Sequence, residues 1–238
     1  MRLFLSFFMH RGLVFRLCVL GLTPLALAGC AGELSTVDPA GPAARTIAQI
    51  WWVMLIGAAA IFALVMGLLF VAYRPARNLA HASERVFLVG LGLAFPMIVL
   101  TALLGYGLAA GEQLLPKGEP EVFYVTADAG RWAWRFGYPG VAEGYRVSED
   151  VLHIPAGRPV DVAITTRDVI HSFWVPRLAG KLDAVPGYVN VLRIEADAPG
   201  RYAGLSSEFS GPGYTQFGFE VIAHGAEDWQ AFLAGELE

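Results

Sequence analysis

Residues 206–217 read Ser206-Ser207-Glu208-Phe209-Ser210-Gly211-Pro212-Gly213-Tyr214-Thr215-Gln216-Phe217. They link two β-type runs, 201–206 and 216–223, and the turn signal Gly211-Pro212-Gly213 lies in their middle. The stretch is therefore a loop between strands. Similar runs occur at 122–127, 132–138, 150–154, 159–165 and 188–195. The turns Tyr138-Pro139-Gly140, Pro155-Ala156-Gly157, Pro186-Gly187 and Pro199-Gly200 separate them. This texture predicts a β-sandwich with Greek-key connections over residues 117–224. Beyond it, Trp229, Phe232 and Leu233 at i, i+3, i+4 predict a short amphipathic helix within 225–238.

The amino-terminal half has a different character. Residues 46–73 carry no charge, with Trp51 and Trp52 near one end and Tyr73 at the other. A second uncharged run covers 86–111. Each exceeds the roughly 20 residues that span a bilayer, and the aromatics sit where interfacial anchors belong. The two runs predict a transmembrane helical hairpin. Pro96 inside the second run should kink it or be accommodated by a neighbour. The connecting loop 74–85 holds Arg74, Arg77, His81 and Arg85 against Glu84, so the positive-inside rule places it in the cytoplasm and both hairpin ends outside.

Residues 1–29 contain Arg2, Arg11 and Arg16, then an apolar run, then Leu27-Ala28-Gly29-Cys30. This is the layout of a secretory signal. Its ending resembles a bacterial lipobox, which implies a lipoprotein signal peptide over 1–29 and an acylated Cys30 at the head of a linker, 30–45. Cys18 and Cys30 are the chain's two cysteines, so residues 117–238 contain none. No disulfide, Cys-ligated zinc or thiolate-bridged copper can form within that part of the chain. The first 111 residues carry 7 Lys/Arg against 3 Asp/Glu, and the rest carry 10 against 18. The acidic outer part argues against nucleic acid and anionic lipid as partners.

A second stretch, Asp168-Val169-Ile170-His171-Ser172-Phe173-Trp174-Val175-Pro176, joins the loop at 206–217 in a recognisable frame. Together they resemble subunit II of the haem–copper respiratory oxidases. Cytochrome c oxidase members of that family read C-S-E-x-C-G-x-x-H-x-x-M in the loop and D-x-x-H-S-x-x-V-P upstream. Here Ser206 and Ser210 occupy the two Cys positions, Tyr214 the His and Phe217 the Met, while His171 and Glu208 remain. The resemblance covers roughly residues 46–223. It implies a membrane-anchored all-β architecture, a two-helix hairpin followed by a cupredoxin-like periplasmic domain, in a bacterial inner membrane.

Further matches carry further expectations. Lys181-Leu182-Asp183-Ala184-Val185-Pro186-Gly187-Tyr188-Val189-Asn190 resembles the K-x-D-A-x-P-G-R-x-N element that faces subunit I, with Tyr188 for Arg; a plain Pro-Gly turn is the alternative. Trp132, Trp134, Phe136 and Tyr138 resemble the aromatic segment where electrons enter cytochrome c oxidases. Alternating aromatics are equally one buried strand face. Glu208 stands where the family places a magnesium ligand at the join with subunit I; an exposed loop carboxylate is the alternative. Val89 occupies a position where family members often carry a Glu near a proton channel.

One imidazole cannot hold a dicopper centre, which needs soft thiolates. His171 reads as a buried packing residue, and a site built with His153 and His224 would need folding to bring them near. The favoured function is a noncatalytic, structural subunit II of a quinol oxidase, with electrons passing from ubiquinol to oxygen and protons translocated by the complex. This chain alone binds no cofactor on that reading; haems and a single copper belong to subunit I, and subunit III completes the assembly. The alternatives are a cytochrome c oxidase subunit with a degenerate copper site, and a membrane-tethered cupredoxin-like binding or assembly protein.

Overall fold

The computed structural model describes residues 30–73, 85–116, 122–141 and 144–237. The signal sequence, the greater part of the basic loop and Glu84 lie outside the described residues. Helix α1 runs Pro42–Ala72 and α2 runs Val86–Glu112. Both are long and apolar enough to cross a membrane, and their apolar side chains face outward from this chain. Helix α1 starts four residues ahead of the uncharged run, inside the expected linker. Pro42 stands in its first turn, where a missing N–H costs nothing.

The entry into α2 departs from regular α-helix. Val86–Ala94 winds as a π-helix, and the N–H of Phe95 donates to the carbonyl of Gly90. Pro96 follows in the first turn of the α-helical part, Phe95–Glu112. Proline offers no N–H to the preceding turn, and the wider winding ahead of it accommodates the loss within this chain.

Ten strands follow: β1 Phe123–Gly130, β2 Ala133–Pro139, β3 Tyr145–Glu149, β4 Val151–Pro155, β5 Val160–Thr166, β6 His171–Trp174, β7 Lys181–Ala184, β8 Asn190–Ile194, β9 Gly200–Ser206 and β10 Gly218–His224. They form two five-stranded sheets, ordered β3-β2-β1-β5-β8 and β4-β10-β9-β6-β7. The chain changes sheet after β3, β4, β5, β7 and β8, as Greek-key connections do. Most pairs are antiparallel, but β1 pairs parallel with β5 and β4 with β10. Strands β3, β6 and β7 were not expected from the sequence. They are only four or five residues long, and β3 and β7 are sheet edges that need only one partner, so too few positions are present for a period-2 signal to stand out.

Alternation along β1 and β5 sends Val125, Ala127, Ala129, Val160, Val162 and Ile164 inward. Facing them are Leu152, Ile154, Phe173, Phe219 and Val221. Gly204 lies beneath the Phe219 ring so closely that a Cβ there would collide with it, which leaves glycine as the residue that lets this ring into the core.

Helix α3, Ala226–Ala234, closes the far end of the sandwich. Phe232 is fully buried and stacks on His153 with ring centroids 4.5 Å apart. His153 Nδ1 lies 2.8 Å from His224 Nε2. Folding thus brings these two imidazoles to each other, under α3. Arg146 covers the outer face of Phe232 and donates to its carbonyl at 2.9 Å. It also reaches the carbonyl of Leu237. Burial pushes the His153 imidazole down to about 4, helped by His224, Arg146 and Arg201. Burial lowers His224 as well, against the pull of Asp228.

Both imidazoles are held below the ordinary 6.5, so as pH falls the unfolded chain takes up protons before the folded one does. The α3 dock should therefore keep its full stability above about pH 6.5 and lose on the order of 2–3 kcal/mol by pH 4. Hydrogen exchange of α3 amides in the full-length protein, measured between pH 7 and 4, checks this; protection that does not change with pH would refute it.

Candidate functional site

Four separated stretches converge at the opposite end of the sandwich from α3. They are the β1–β2 turn with Trp132, the β5–β6 connection with Asp168, the element 181–190, and the loop after β9. The β6–β7 ladder sets His171 against Ala184 and Ser172 against Asp183. The β6–β9 ladder sets Phe173 against Ser206. These registers hold the loop 206–217 over the first residues of β6.

His171 is fully buried at the start of β6. Its Nε2 lies 2.8 Å from Asp168 Oδ1. Asp168 also accepts the N–H groups of Val169 at 2.7 Å and Arg131 at 2.9 Å, and the Thr166 hydroxyl at 3.1 Å. Burial works against ionisation of this carboxyl. The hydrogen bonds from His171, Val169, Arg131 and Thr166 outweigh that and hold it at about 2. Asp168 is thus a charged hub that orients His171 and ties β6 to the β1–β2 turn. The sequence contained this residue in the shared frame but gave no sign of its role; only the spacing Asp-x-x-His hinted that the two meet.

The other positions that the resemblance assigns to copper ligands are buried to different degrees. Ser206 and Ser210 are both buried. Ser206 Oγ accepts a long hydrogen bond, 3.4 Å, from the N–H of Ser172. The Ser206 N–H donates to the Phe217 carbonyl at 2.9 Å, and the Ser207 N–H to the Ser172 carbonyl at 3.0 Å. Tyr214 opens a single turn of 3-10 helix, Tyr214–Gln216, and meets the exposed Phe209 edge-on at 5.2 Å. Glu208 is half-buried, and its Oε1 accepts the N–H of Phe209 at 2.9 Å.

Phe217 occupies the centre. It is buried, stacks on Trp134 at 5.7 Å between centroids, and meets His171 edge-on at 5.2 Å. Trp132, 41% exposed, touches Phe217 from outside at 6.2 Å. Trp134, Phe136 and Tyr138 are fully buried strand residues, so of the aromatic segment only Trp132 reaches the surface. The hydroxyls of Ser172, Ser207 and Ser210, Nδ1 of His171 and Nε1 of Trp134 are buried without a hydrogen-bond partner among the described residues.

The element 181–190 abuts the same region. Gly187 takes φ 75°, and the Tyr188 N–H closes the turn on the Val185 carbonyl at 3.1 Å. Pro186 bridges to Thr166, the residue beside the Asp168 hub. Asn190 Nδ2 donates to the Asp183 carbonyl at 2.7 Å. Lys181, Asp183, Pro186, Gly187, Tyr188 and Val189 are exposed. Among the described residues no three or more His, Cys, Asp or Glu side chains come together as a metal site.

Comparison with known proteins shows the family to which the chain belongs. The family described as "Cytochrome C oxidase subunit II, periplasmic domain" matches residues 124–222. Cytochrome c oxidase subunit 2 of Alkalihalophilus pseudofirmus is 30% identical over 234 residues, covering 92% of this chain and 68% of that protein. Quinol oxidase subunit 2 of Bacillus cereus is 30% identical over 223 residues, covering 88% and 75%. The solved periplasmic domain of cytochrome oxidase subunit II from Bradyrhizobium japonicum aligns with a TM-score of 0.46 at 21% identity, over 52% of this chain and 96% of that one. The chain belongs to the subunit II family of the haem–copper respiratory oxidases.

Two substitutions test the site's packing. Phe217→Ala removes a buried ring wedged between Trp134 and His171 and should cost about 3–5 kcal/mol. Asp168→Asn leaves His171 and two backbone N–H groups with a neutral acceptor and should cost about 1.5–3 kcal/mol. Denaturant unfolding of the full-length protein measures both; changes below 0.5 kcal/mol would show that this end of the sandwich is not organised around them.

Proposed function

We propose that this subunit II serves a quinol-oxidising complex and carries no dicopper centre. The observation that supports this most is the set of side chains around His171. A dicopper centre needs two bridging thiolates backed by soft or imidazole donors. Ser206 and Ser210 offer hydroxyls that do not ionise near neutral pH, and Phe217 fills the middle with a phenyl ring. His171 already spends Nε2 on Asp168. The donor set does not fit such a centre, so electrons reach oxygen without passing through this chain, and a lipid-soluble quinol can reduce the haem-bearing subunit directly. Both quinol oxidase and cytochrome c oxidase subunits occur among the relatives.

On this reading the chain is a structural cap. Its two helices pack against subunit I within the inner membrane, and its β domain covers the outer face of that subunit. Lys181, Asp183, Pro186, Gly187, Tyr188 and Asn190 form the contact, consistent with the exposure of the turn they build. Haems, a single copper and the proton-translocating machinery reside in subunit I, with subunit III completing the complex. Cys30 is exposed and carries the lipid anchor. Glu208 supplies a hard carboxylate for a magnesium ion at the subunit join.

The purified complex should consume oxygen with ubiquinol and not with reduced cytochrome c. Activity with cytochrome c alone would overturn the proposal. Glu208→Gln should lower the magnesium or manganese content of the complex, and an unchanged content would remove Glu208 from that role. The fourfold change Ser206→Cys, Ser210→Cys, Tyr214→His and Phe217→Met should restore copper binding, read as the visible spectrum of a thiolate-copper centre. A copper-free product would mean that the loop backbone has drifted from the ligand geometry.

A further inference from the structure

The chain enters its first long helix through a clamp on the β domain. The backbone of residues 38–44 is tied to two connections of the sandwich, 175–180 between β6 and β7 and 195–199 between β8 and β9. The Ala40 N–H donates to the Arg177 carbonyl at 2.7 Å, the Asp197 N–H to the Ala40 carbonyl at 2.9 Å, and the Ala44 N–H to the Leu178 carbonyl at 3.2 Å. The Arg177 side chain closes back on the same segment. Its Nε donates to the Asp38 carbonyl at 2.9 Å, and its Nη2 pairs with the Asp38 carboxylate at 3.1 Å. Arg45 pairs with Asp197, but both are exposed and such a pair contributes little by itself.

Close packing completes the clamp. Ala40 and Ala43 pack against the core of the domain, and Ala44 is buried. Gly41 lies so near the Glu195 carbonyl that a Cβ would collide with backbone, which cannot swing aside. Ile47 reaches Gly180, where a Cβ would come within 3.3 Å of its Cδ1.

Helix α1 carries this clamp toward the bilayer without a break. It is regular α-helix from Pro42 to Ala72, and no glycine or proline occurs between residues 43 and 56. Helix kinks arise at such residues or at π-bulges. Residues 51–72 rise about 33 Å, enough for about 30 Å of hydrocarbon. The rings of Trp51 and Trp52 mark the upper edge of that span. Residues 42–50 therefore form a stalk about 13 Å tall above the hydrocarbon, with the domain bonded to its side. Turning α1 about its axis turns the domain with it.

The connection that receives the stalk also leads to the candidate site. Residues 175–180 join β6, which starts at His171, to β7, which opens the exposed element 181–190. We propose that α1 and the β domain form one rigid body, in which the stalk fixes the direction of the element 181–190 relative to the membrane helices. Gly41 and Arg177 are its positioning residues. The subunit then meets its haem-bearing partner with its membrane surface and its outer surface already in register. That last step rests on the cap reading proposed above.

Two measurements test this. The first is hydrogen exchange of the full-length subunit in lipid nanodiscs, which needs no partner. The amides of Ala40, Ala44 and Asp197 should be protected as strongly as those of β6 and β7. Gly41→Ala should speed their exchange at least about tenfold and leave β5 unchanged. If Gly41→Ala fails to fold, Arg177→Ala carries the comparison, with Arg177→Lys restoring part of the protection. Fast exchange at these amides in the wild type, or no effect of either variant, overturns the proposal. The second inserts alanines between Ile50 and Trp51 in the complete oxidase and reads the haem that co-purifies with this subunit. One alanine turns the domain about 100° against the membrane part, and four turn it about 40° while lifting it about 6 Å. One should lower the haem yield about tenfold and four should restore most of it. Equal yields, or a loss that simply grows with the number inserted, would show that direction does not matter. Slow exchange in a wild-type subunit that purifies without haem defeats the cap reading and leaves the rigid stalk standing.

Discussion

The aromatic cluster around Trp134 is the constraint on which the rest of the molecule depends. Its indole, fully buried, touches Phe136, Phe173, Phe217 and Phe219. Those rings come from β2, β6, β10 and the loop that precedes β10. One side chain therefore joins both sheets and anchors the loop 206–217. Burying aromatic surface is worth several kcal/mol per ring, so the loop is held in place by the core of the domain. Its shape does not require a ligand.

That dependence explains how a site can keep its frame while its side chains change. Backbone hydrogen bonds from Ser206 to Phe217 and from Ser207 to Ser172 fix the two ends of the loop. Asp168 fixes His171 and the neighbouring turn. A phenyl ring at position 217 extends the Trp134 cluster outward. Around His171, several buried polar groups have no hydrogen-bond partner among the described residues. At the other pole, the α3 dock stacks His153 on Phe232 and sets Arg146 over the outer face of that ring.

Much of this was legible in the chain. Hydropathy gave the two membrane-length helices, because an uncharged run of that length has few other uses. Turn signals gave most of the strands, and the i, i+3, i+4 apolar triplet gave α3. The frame around His171 and residues 206–217 pointed to the family. The strands β3, β6 and β7 stayed hidden, since strands of four or five residues draw their stability from neighbours and are too short to show a pattern of their own. The start of α1 was also hidden: Pro42 to Arg45 look like linker, and only the Arg177, Leu178 and Asp197 contacts show why they are helix and clamp.

The sequence by itself determined which donor atoms exist: two serine hydroxyls, a phenol, a phenyl ring and one imidazole where a copper centre would need thiolates, and no cysteine anywhere after residue 30. Chemistry of that kind is a property of residue identity and needs no coordinates. Tertiary structure alone decided where those atoms go. It placed Phe217 in the centre of the loop's seat, tied Asp168 to the N–H of Arg131 in the β1–β2 turn, and paired His153 with His224 instead of with His171. The physical reason is that burial and pairing arise from contacts between residues far apart in the chain. No local pattern encodes them, and only the closed sandwich brings them into being.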